Sequence, residues 1–324
     1  MATLILLPTG EVYPKLGRKV KMFSSAFRVP TVEEIREARK KRPVAIMLTV
    51  YGDESHEGEK RKVFAVAGII GTDEQWDSFD AIWLARTGGK IFHAADCETD
   101  KGDFKGIPHD VNLEFVKDLT QILIKSPMKG FATAIDIEAC RDLIPHFLET
   151  DLYFRCFAPV VLLFARMAHD YNPPQQVRFL FDRNDETEFL SIKLVEYFAS
   201  LKKYPFSAFI DDCGFASKKK PGIQAADLIA REAMKDLDNI LHPKRDRRRS
   251  MTALLESKKF GFRFWDRQSF EEHIEDLPEI EKQIGMRWDD YENWCQKESC
   301  SDNAGERMRY AFEWQKGKLK PTPN

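Results

Sequence analysis

The sequence has no apolar run that approaches the ~18–20 residues of a membrane-spanning helix, and no membrane partner is therefore expected. Its opening apolar stretch is interrupted at Pro8 and has no basic residue before it, so no signal peptide is predicted. Cysteine is also scarce, since the 324 residues contain six cysteines that are scattered and form no Cys-x-x-Cys pair. This usage is typical of free thiols in a reducing compartment, which predicts a cytoplasmic protein.

A large net charge of either sign is missing as well. The 50 lysine and arginine residues nearly balance the 52 aspartate and glutamate residues, which leaves a formal net charge of -2 at pH 7. A surface that binds nucleic acid would therefore have to be a local basic patch. Apolar residues make up 43% of the chain and aromatic residues 12%, which is enough for a substantial core. The length suits one large domain with additions or two smaller domains.

Changes of composition divide the chain into three predicted parts. Residues 1–42 form an N-terminal extension that ends in a short helix over residues 31–42. Residues 43–240 alternate β-branched apolar runs with helical patterns and form the main domain. Residues 241–324 begin with a basic linker and continue as a mostly helical C-terminal region. Its tryptophans belong either to a core or to an interface with a partner protein or a second copy of the chain: Trp288, Trp294 and Trp314.

The pattern of the main domain predicts a mixed α/β sheet with helices on both faces. Two apolar runs at residues 44–50 and 63–70 are joined by a polar segment, which predicts a β-hairpin. A helical insertion over residues 73–125 follows. After it, strands alternate with helices, as expected of a mixed sheet covered on both sides. The later strands are predicted at residues 130–137, 177–181 and 206–210, and the later helices at residues 152–169, 186–202 and 222–235.

Three aspartates stand on separate predicted elements of this domain, two of them at strand ends. Asp53 directly follows the first strand, with Glu54 on the opposite side of the pleat if the strand continues. Ordinary turn chemistry is an alternative role for Asp53. Asp182 ends the apolar strand VRFLFD, and the nearby Asp185 is better placed to cap the next helix. Because Asp182 then has no capping role, a functional role is favoured.

The third aspartate, Asp227, lies in the stretch GIQAADLIA, several residues beyond Pro221, which suits the start of a helix. Its neighbours are small or apolar, as expected of a helix packed closely on a sheet. A carboxylate buried there is costly unless it is paired or bound to a metal ion. A salt bridge to Arg231, four residues later, is the alternative. Gln224, three residues earlier on the same helix face, could orient Asp227 or contact a substrate.

Carboxylates that converge from several elements are typical of enzymes that use two divalent ions to hydrolyse phosphodiester bonds. Mg²⁺ and Mn²⁺ prefer such hard oxygen ligands. We therefore predict that Asp53, Asp182 and Asp227 form a two-metal site for Mg²⁺ or Mn²⁺. Candidate accessory residues lie in the irregular segment FHAADCE, where an ordinary surface role is the alternative. They are His93, Asp96 and Glu98.

Two basic runs provide candidate contacts to nucleic acid. The first immediately precedes the helix of Asp227, so its cations are expected near the acidic residues, and the second lies at residues 244–249. Such cations could hold phosphate groups, which position a nucleic-acid backbone without reading its sequence. A solvated loop is the alternative for both runs. The predicted contacts are Lys218, Lys219, Lys220, Arg247, Arg248 and Arg249.

Together these motifs resemble a known protein family. The Asp-Glu-Ser after the first strand, the acidic loop with a histidine, the Phe-Asp at a later strand end and GIQAADLIA on a helix are similar to the family called domain of unknown function 3800, over residues 44–235. The resemblance implies a ribonuclease H-like fold with Asp53, Asp182 and Asp227 at the positions of the metal-binding acids. Glu54, or an acid of the FHAADCE segment, would be the fourth catalytic acid.

The leading hypothesis is a nuclease dependent on Mg²⁺ or Mn²⁺ that cleaves phosphodiester bonds of DNA or RNA. The setting in which the resembling family occurs suggests an effector of a phage-defence or mobile-element system, acting with a partner protein. Two alternatives stay open. One is a catalytically inactive module that binds nucleic acid or a partner, and the other is a nucleotide phosphohydrolase that uses the same site.

Overall fold

The structure is a computed structural model that describes residues 47–56, 62–143, 149–182, 188–201 and 204–273. The predicted helix over residues 31–42 and the three tryptophans of the C-terminal region lie outside the described residues. Across the described ranges, every helix is too short or too polar to cross a membrane. The described cysteines carry free thiols.

The strands of the described ranges form one mixed sheet. They are β1 (Met47–His56), β2 (Val63–Thr72), β3 (Lys129–Asp136), β4 (Gln176–Asp182), β5 (Ile210–Ala216) and β6 (Phe260–Trp265). Their order across the sheet is β5-β4-β1-β2-β3-β6. The strands β1, β2 and β3 form an antiparallel meander. Parallel pairing adds β4 to β1, β5 to β4 and β6 to β3.

The helices of the described ranges cover both faces of this sheet. They are α1 (Asp73–Thr87), α2 (Ala94–Glu98), α3 (His109–Lys125), α4 (Ile137–Leu143), α5 (Glu149–Asp170), α6 (Glu188–Ser200), α7 (Pro221–Leu241), α8 (Arg249–Glu256) and α9 (Arg267–His273). Short 3-10 turns lie at Gly102–Phe104 and Pro205–Phe209. One face packs against α5 and α6, and the other packs against α7 and the insertion α1 to α3.

The side chains of the central strands alternate between two apolar cores. On β1, Val50 packs into the core under α5, whereas Tyr51 packs into the core under α7. The strand β2 is buried along nearly its whole length. Burial on both faces is the pattern expected of central strands covered by helices. The predicted mixed α/β sheet flanked by helices is therefore confirmed.

The strand β1 is longer than predicted. It continues past residue 50 to His56, and Asp53 pairs with Ala67 of β2 inside the ladder. The strand can include both Asp53 and Glu54 because the side chains of neighbouring strand residues point to opposite faces of the sheet. Asp53 lies on the α7 face, whereas Glu54 lies on the α5 face, where its charge acts on the thiol of Cys156. Turn chemistry therefore does not explain Asp53.

The predicted strand at residues 206–210 is wrong. Those residues form the 3-10 turn Pro205–Phe209, and β5 begins only at Ile210. Phe209 and Ile210 are apolar because they enter the core under α5. The strand itself lies at an edge of the sheet, so its exposed Asp211 and Asp212 are tolerated. A run of apolar residues identifies a strand that is buried in the sheet, but an edge strand often lacks such a run.

The strand β6 is a second departure from the sequence pattern. It pairs with β3 along its whole length, so the sheet extends beyond the predicted boundary at residue 240. Phe260 and Phe262 are buried on the α7 face of the sheet, in the core that also holds Met251 and Leu254 of α8. The segment that follows α7 is therefore part of the same sheet and core up to β6.

Candidate carboxylate site

Two of the predicted site residues lie side by side at the ends of parallel strands. The last pair of residues between β1 and β4 is Gly52 and Phe181, and Asp53 and Asp182 each follow that pair. Their side chains therefore point to the same face of the sheet, across strands about 4.8 Å apart. A Cβ atom on Gly52 would lie 2.3 Å from the Phe181 ring, so glycine allows this close packing beside the two acids. Both side chains are more than nine-tenths buried.

The helix α7 brings Asp227 over the same face. A Cβ atom on Gly222 would lie 2.3 Å from the ring of Tyr51, so the first turn of α7 packs directly on β1. Asp227 is buried one and a half turns further along the helix. Its Oδ2 accepts a hydrogen bond of 2.6 Å from the backbone N–H of Ala94, which begins α2. A backbone donor of this kind carries no signature in the sequence.

The three carboxylates form one electrostatic cluster. Burial, with the charges of Asp227 and Asp182 added to it, raises the pKa of Asp53 well above its usual range. The N–H of Glu54 donates to Asp53 Oδ1 at 2.8 Å and acts in the opposite direction. Burial also raises the pKa of Asp227, against the opposing charges of His93 and Lys218. The acids of β1, β4 and α7 therefore lie near enough to one another for the charges of Asp182 and Asp227 to act on Asp53.

Lys218 is the cation that contacts this cluster. Its Nζ lies 3.1 Å from Asp182 Oδ2. Partial burial disfavours the ammonium ion, but Asp182, Asp53 and Asp227 together outweigh it and raise the pKa of Lys218. The other oxygen, Asp182 Oδ1, is buried and has no hydrogen-bond partner within the described part of the chain. Asp182 is thus only half satisfied by the protein.

The acids do not yet form a complete ligand set. In the described ranges, no three His, Cys, Asp or Glu side chains are arranged closely enough to hold a metal ion as they stand. One oxygen of each aspartate is turned to a local donor: Glu54 N–H for Asp53, Lys218 Nζ for Asp182 and Ala94 N–H for Asp227.

Gln224 connects the segments that surround Asp227. Its Oε1 accepts hydrogen bonds from Trp83 Nε1 at 2.9 Å and from the N–H of Phe92 at 3.1 Å. Its Nε2 donates to the carbonyl oxygen of Lys218 at 2.9 Å. The side chain is buried, and it fixes the position of the loops on both sides of Asp227. Among the described residues, the hydrogen-bond partners of its side chain are Trp83, Phe92 and Lys218, and Asp227 is not one of them.

The FHAADCE segment contains the short helix α2 and lies beside Asp227. His93 Nδ1 is 3.2 Å from Asp96 Oδ2, and both side chains are about 39% exposed. The charge of His93 is close enough to lower the pKa of Asp227. Glu98 is instead committed to an ion pair of 3.0 Å with Arg231. The alternative salt bridge between Asp227 and Arg231 is therefore not formed.

Glu54 is the predicted catalytic residue that the structure does not bring to the cluster. Because β1 continues through it, its side chain lies across the sheet from Asp53, on the face of α5. The two carboxylates are separated by the sheet itself. Among the predicted acids, those on the α7 face are Asp53, Asp182 and Asp227, and the charge of His93 acts on Asp227.

The two basic runs have different surroundings. Lys218, Lys219 and Lys220 form the exposed loop before α7, where Lys220 Nζ lies 3.5 Å from Asp80 Oδ2. In the second run, Arg247 pairs with the buried Asp236 at 2.9 Å. Arg248 pairs with Glu232 and Glu98, and Arg249 is exposed. The first run borders the carboxylates, whereas Arg247 and Arg248 of the second run form structural ion pairs.

Comparison with known proteins finds no family model that matches the sequence and no match among curated proteins. The resemblance to the family called domain of unknown function 3800 therefore stays a prediction that rests on the motifs themselves.

Proposed function

We propose that this protein is a hydrolase dependent on Mg²⁺ or Mn²⁺ that cleaves phosphodiester bonds of nucleic acid at Asp53, Asp182 and Asp227. The observation that carries the proposal is the meeting of three buried carboxylates from β1, β4 and α7 on one face of the sheet. Burying like charges together is unfavourable for stability. Such an arrangement therefore indicates a function, most simply the binding of cations.

The topology supports the same reading by analogy. A meander of β1 to β3 that continues through parallel β4 and β5 is what a ribonuclease H-like fold would require. In that fold the acids would stand on the first strand, on the fourth strand and on the helix after the fifth, as they do here. Fold alone does not determine activity, so this likeness adds to the case made by the site and does not replace it.

The donor set fits a hard divalent ion. All three side chains offer carboxylate oxygens, the ligands that Mg²⁺ and Mn²⁺ prefer. Asp182 Oδ1, which is buried and has no hydrogen-bond partner among the described residues, is an oxygen that such an ion would satisfy. A divalent ion bound there would activate water as a nucleophile and stabilise the charge that develops on the phosphate and the leaving oxygen.

The residues of the chain would contribute binding and orientation. The hydrogen bond from Ala94 N–H holds the carboxylate of Asp227 in place, and the strand ladder holds Asp53. The exposed side chains of Lys219 and Lys220 lie on the loop next to the cluster, where they could contact substrate phosphates. His93 lies beside Asp227 with its Nδ1 held by Asp96, and so could orient a bound phosphate.

The replacement Asp182→Asn tests the proposal. We expect it to lower metal-dependent cleavage at least about a hundredfold, a loss typical of removing one charge-stabilising group from an active site. Cleavage would be measured on single- and double-stranded DNA and RNA, with Mg²⁺, with Mn²⁺ and with a chelator. The matched control is Asp212→Asn, which changes an exposed aspartate of β5. Equal cleavage by the two variants would contradict the site assignment.

One observation favours a different candidate function, a non-catalytic module that binds nucleic acid or a partner protein. The ion pair between Lys218 and Asp182 occupies an oxygen that a metal ion would need, and it could be a permanent structural feature. The same assays distinguish the two functions, because a binding module would retain nucleic acid on the wild-type protein without cleaving it. A nucleotide phosphohydrolase would instead turn over small phosphoesters.

A further inference from the structure

The side chain of Lys218 stands where its charge partly neutralises the carboxylate cluster. It contacts Asp182 at 3.1 Å, and its charge also acts on Asp53 and Asp227. Arg231, another cation near Asp227, is already committed to Glu98. Lys218 is therefore a counter-ion that the chain itself supplies to all three acids.

The main chain of Lys218 is anchored, whereas its side chain is half exposed. Its carbonyl oxygen accepts a hydrogen bond from Gln224, and the turn around it is closed by the N–H of Lys220 donating to the oxygen of Ser217 at 2.8 Å. The side chain is 54% exposed. Lysine has a long, flexible stem, so its ammonium group can move into water without a change in the backbone.

Asp182 provides a second and independent observation. Its side chain is only 8% exposed, yet the lysine satisfies just one of its oxygens. The other oxygen is buried and has no partner in the described ranges. Leaving a buried carboxylate oxygen unpaired is costly. The ammonium group of Lys218, which approaches from the exposed loop, therefore pairs with only part of the cluster.

We propose that Lys218 is an internal counter-ion that occupies the carboxylate cluster until a divalent cation displaces it. This inference rests on the proposed function, because it assumes that Asp53, Asp182 and Asp227 can bind a metal ion. Displacement frees Asp182 Oδ2 and completes the set of oxygens that the present arrangement lacks. It also releases the ammonium group to the exposed loop, where it can meet a substrate phosphate. Metal loading and phosphate binding are thereby coupled through one side chain.

The replacement Lys218→Met removes the charge and keeps most of the stem. We expect Mn²⁺ to bind this variant roughly tenfold more tightly than the wild type, because the ion no longer competes with an ammonium group. Without metal, the variant should melt at a lower temperature, since the buried acids lose a counter-ion. Saturating Mn²⁺ should reduce this difference, because a ligand that binds only the folded state stabilises it.

The test measures Mn²⁺ affinity by calorimetry and melting temperature over a range of Mn²⁺ concentrations, on the full chain. Lys105→Met is the matched control, because it removes the same charge from an exposed turn. Lys218→Gln serves if the methionine variant does not fold. Asp182→Asn reports whether the measured binding belongs to the cluster.

The displacement is supported if Lys218→Met binds Mn²⁺ more tightly than the wild type and Lys105→Met does not. The tighter binding should be lost when Asp182→Asn is added to Lys218→Met. Equal or weaker binding by the Lys218 variant, together with loss of binding in Asp182→Asn, would overturn the displacement and leave the metal site intact. If neither the wild type nor the Lys218 variant binds Mn²⁺, the proposed function falls and the displacement falls with it.

Discussion

Asp53 lies in a strand ladder, next to two other carboxylates and out of contact with most of the solvent. Burial and the neighbouring charges of Asp227 and Asp182 raise its pKa in the folded protein. An aspartate with a raised pKa binds more protons in the folded state than in the unfolded state. Its contribution to stability is therefore complete below the unfolded pKa, about 4, and is lost as pH rises through the folded pKa.

Replacing Asp53 by asparagine should remove this pH-dependent loss. We expect Asp53→Asn to raise the melting temperature of the metal-free protein at pH 7 by about 2–4 °C, which corresponds to about 1 kcal/mol in a domain of this size. The gain should shrink as the pH falls towards 4. Thermal unfolding in the presence of a chelator, repeated from pH 4 to pH 8, measures both effects.

The control for this experiment is Asp211→Asn, because Asp211 is an exposed aspartate on the edge strand β5. Its stability profile should follow that of the wild type. If Asp53→Asn also follows the wild type at every pH, the carboxylates do not repel one another in the folded protein, and they do not form an electrostatic cluster.

At the scale of single residues, the sequence is informative about the acids and silent about their partners. Asp182 and Asp227 could be selected because a carboxylate at the end of an apolar strand or inside an apolar helix needs an explanation. Glu54 was predicted at the site through a family resemblance, and the alternation of side chains on β1 places it on the other face. The contact between Lys218 and Asp182 depends on how a loop folds over a sheet, which residue types do not determine.

At the scale of secondary-structure elements, α7 holds the site together through Gln224. This residue joins α7 to Trp83 of α1, to the backbone of Phe92 and to the backbone of Lys218. Phe92 lies two residues before Ala94, which donates a hydrogen bond to Asp227, and the charge of Lys218 also acts on Asp227. Asp227 lies about one helical turn beyond Gln224 on α7. Because Gln224 and Asp227 are spaced three residues apart, the two side chains lie on the same face of α7. The residue that connects the segments is therefore next to the carboxylate of Asp227.

Replacing Gln224 by methionine removes these hydrogen bonds with little change in volume. We expect Gln224→Met to lower the free energy of unfolding by about 2–4 kcal/mol, because each buried donor left without an acceptor costs about 1–3 kcal/mol. Urea unfolding measures the loss. The Mn²⁺ affinity of the folded variant should also fall, since the loops that carry Lys218 and Ala94 lose their common anchor.

Gln268→Met provides the comparison, because Gln268 is an exposed residue of α9 that donates a hydrogen bond to Glu272 of the same helix. Its effect should stay within about 0.5 kcal/mol. An equal unfolding midpoint for the two variants would show that the three hydrogen bonds of Gln224 do not stabilise this part of the protein.

At the scale of the whole molecule, a group of buried ion pairs joins the segment after α7 to α7 itself and to α2. Arg248 contacts Glu232 of α7 at 2.8 Å and Glu98 of α2 at 2.6 Å. Arg231 contacts the same Glu98. This group holds the chain in place just before α8 and β6, and it also positions α2, whose first residue donates a hydrogen bond to Asp227.

Removing Arg248 should destabilise the whole domain. The replacement Arg248→Met leaves Glu232 and Glu98 buried without their shared cation, and losing one partner of a buried ion pair costs about 3–5 kcal/mol. Arg249→Met removes an exposed neighbour and should leave stability nearly unchanged. Urea unfolding distinguishes this structural role from the predicted contact to nucleic acid. Equal stability of Arg248→Met and Arg249→Met would favour a role for Arg248 in contacting nucleic acid.

The sequence predicts those helices and strands whose burial produces a clear pattern of apolar residues. The hairpin of β1 and β2, the strands β3 and β4 and the helix α7 follow from apolar runs with clear periods. The edge strands β5 and β6 do not, because an edge strand needs less apolar surface and its pairing is decided by distant parts of the chain. For β6, the aromatic alternation of Phe260 and Phe262 is the signal that could have revealed it.

The most direct test of the central claim is a crystal structure of the protein with Mn²⁺, recorded at a wavelength where manganese scatters anomalously. We expect an anomalous peak within ligand distance of carboxylate oxygens from Asp53, Asp182 and Asp227. The Nζ of Lys218 should then have left Asp182. Crystals at saturating Mn²⁺ that show no peak among these three aspartates, with the lysine still on Asp182, would contradict a metal site at these residues.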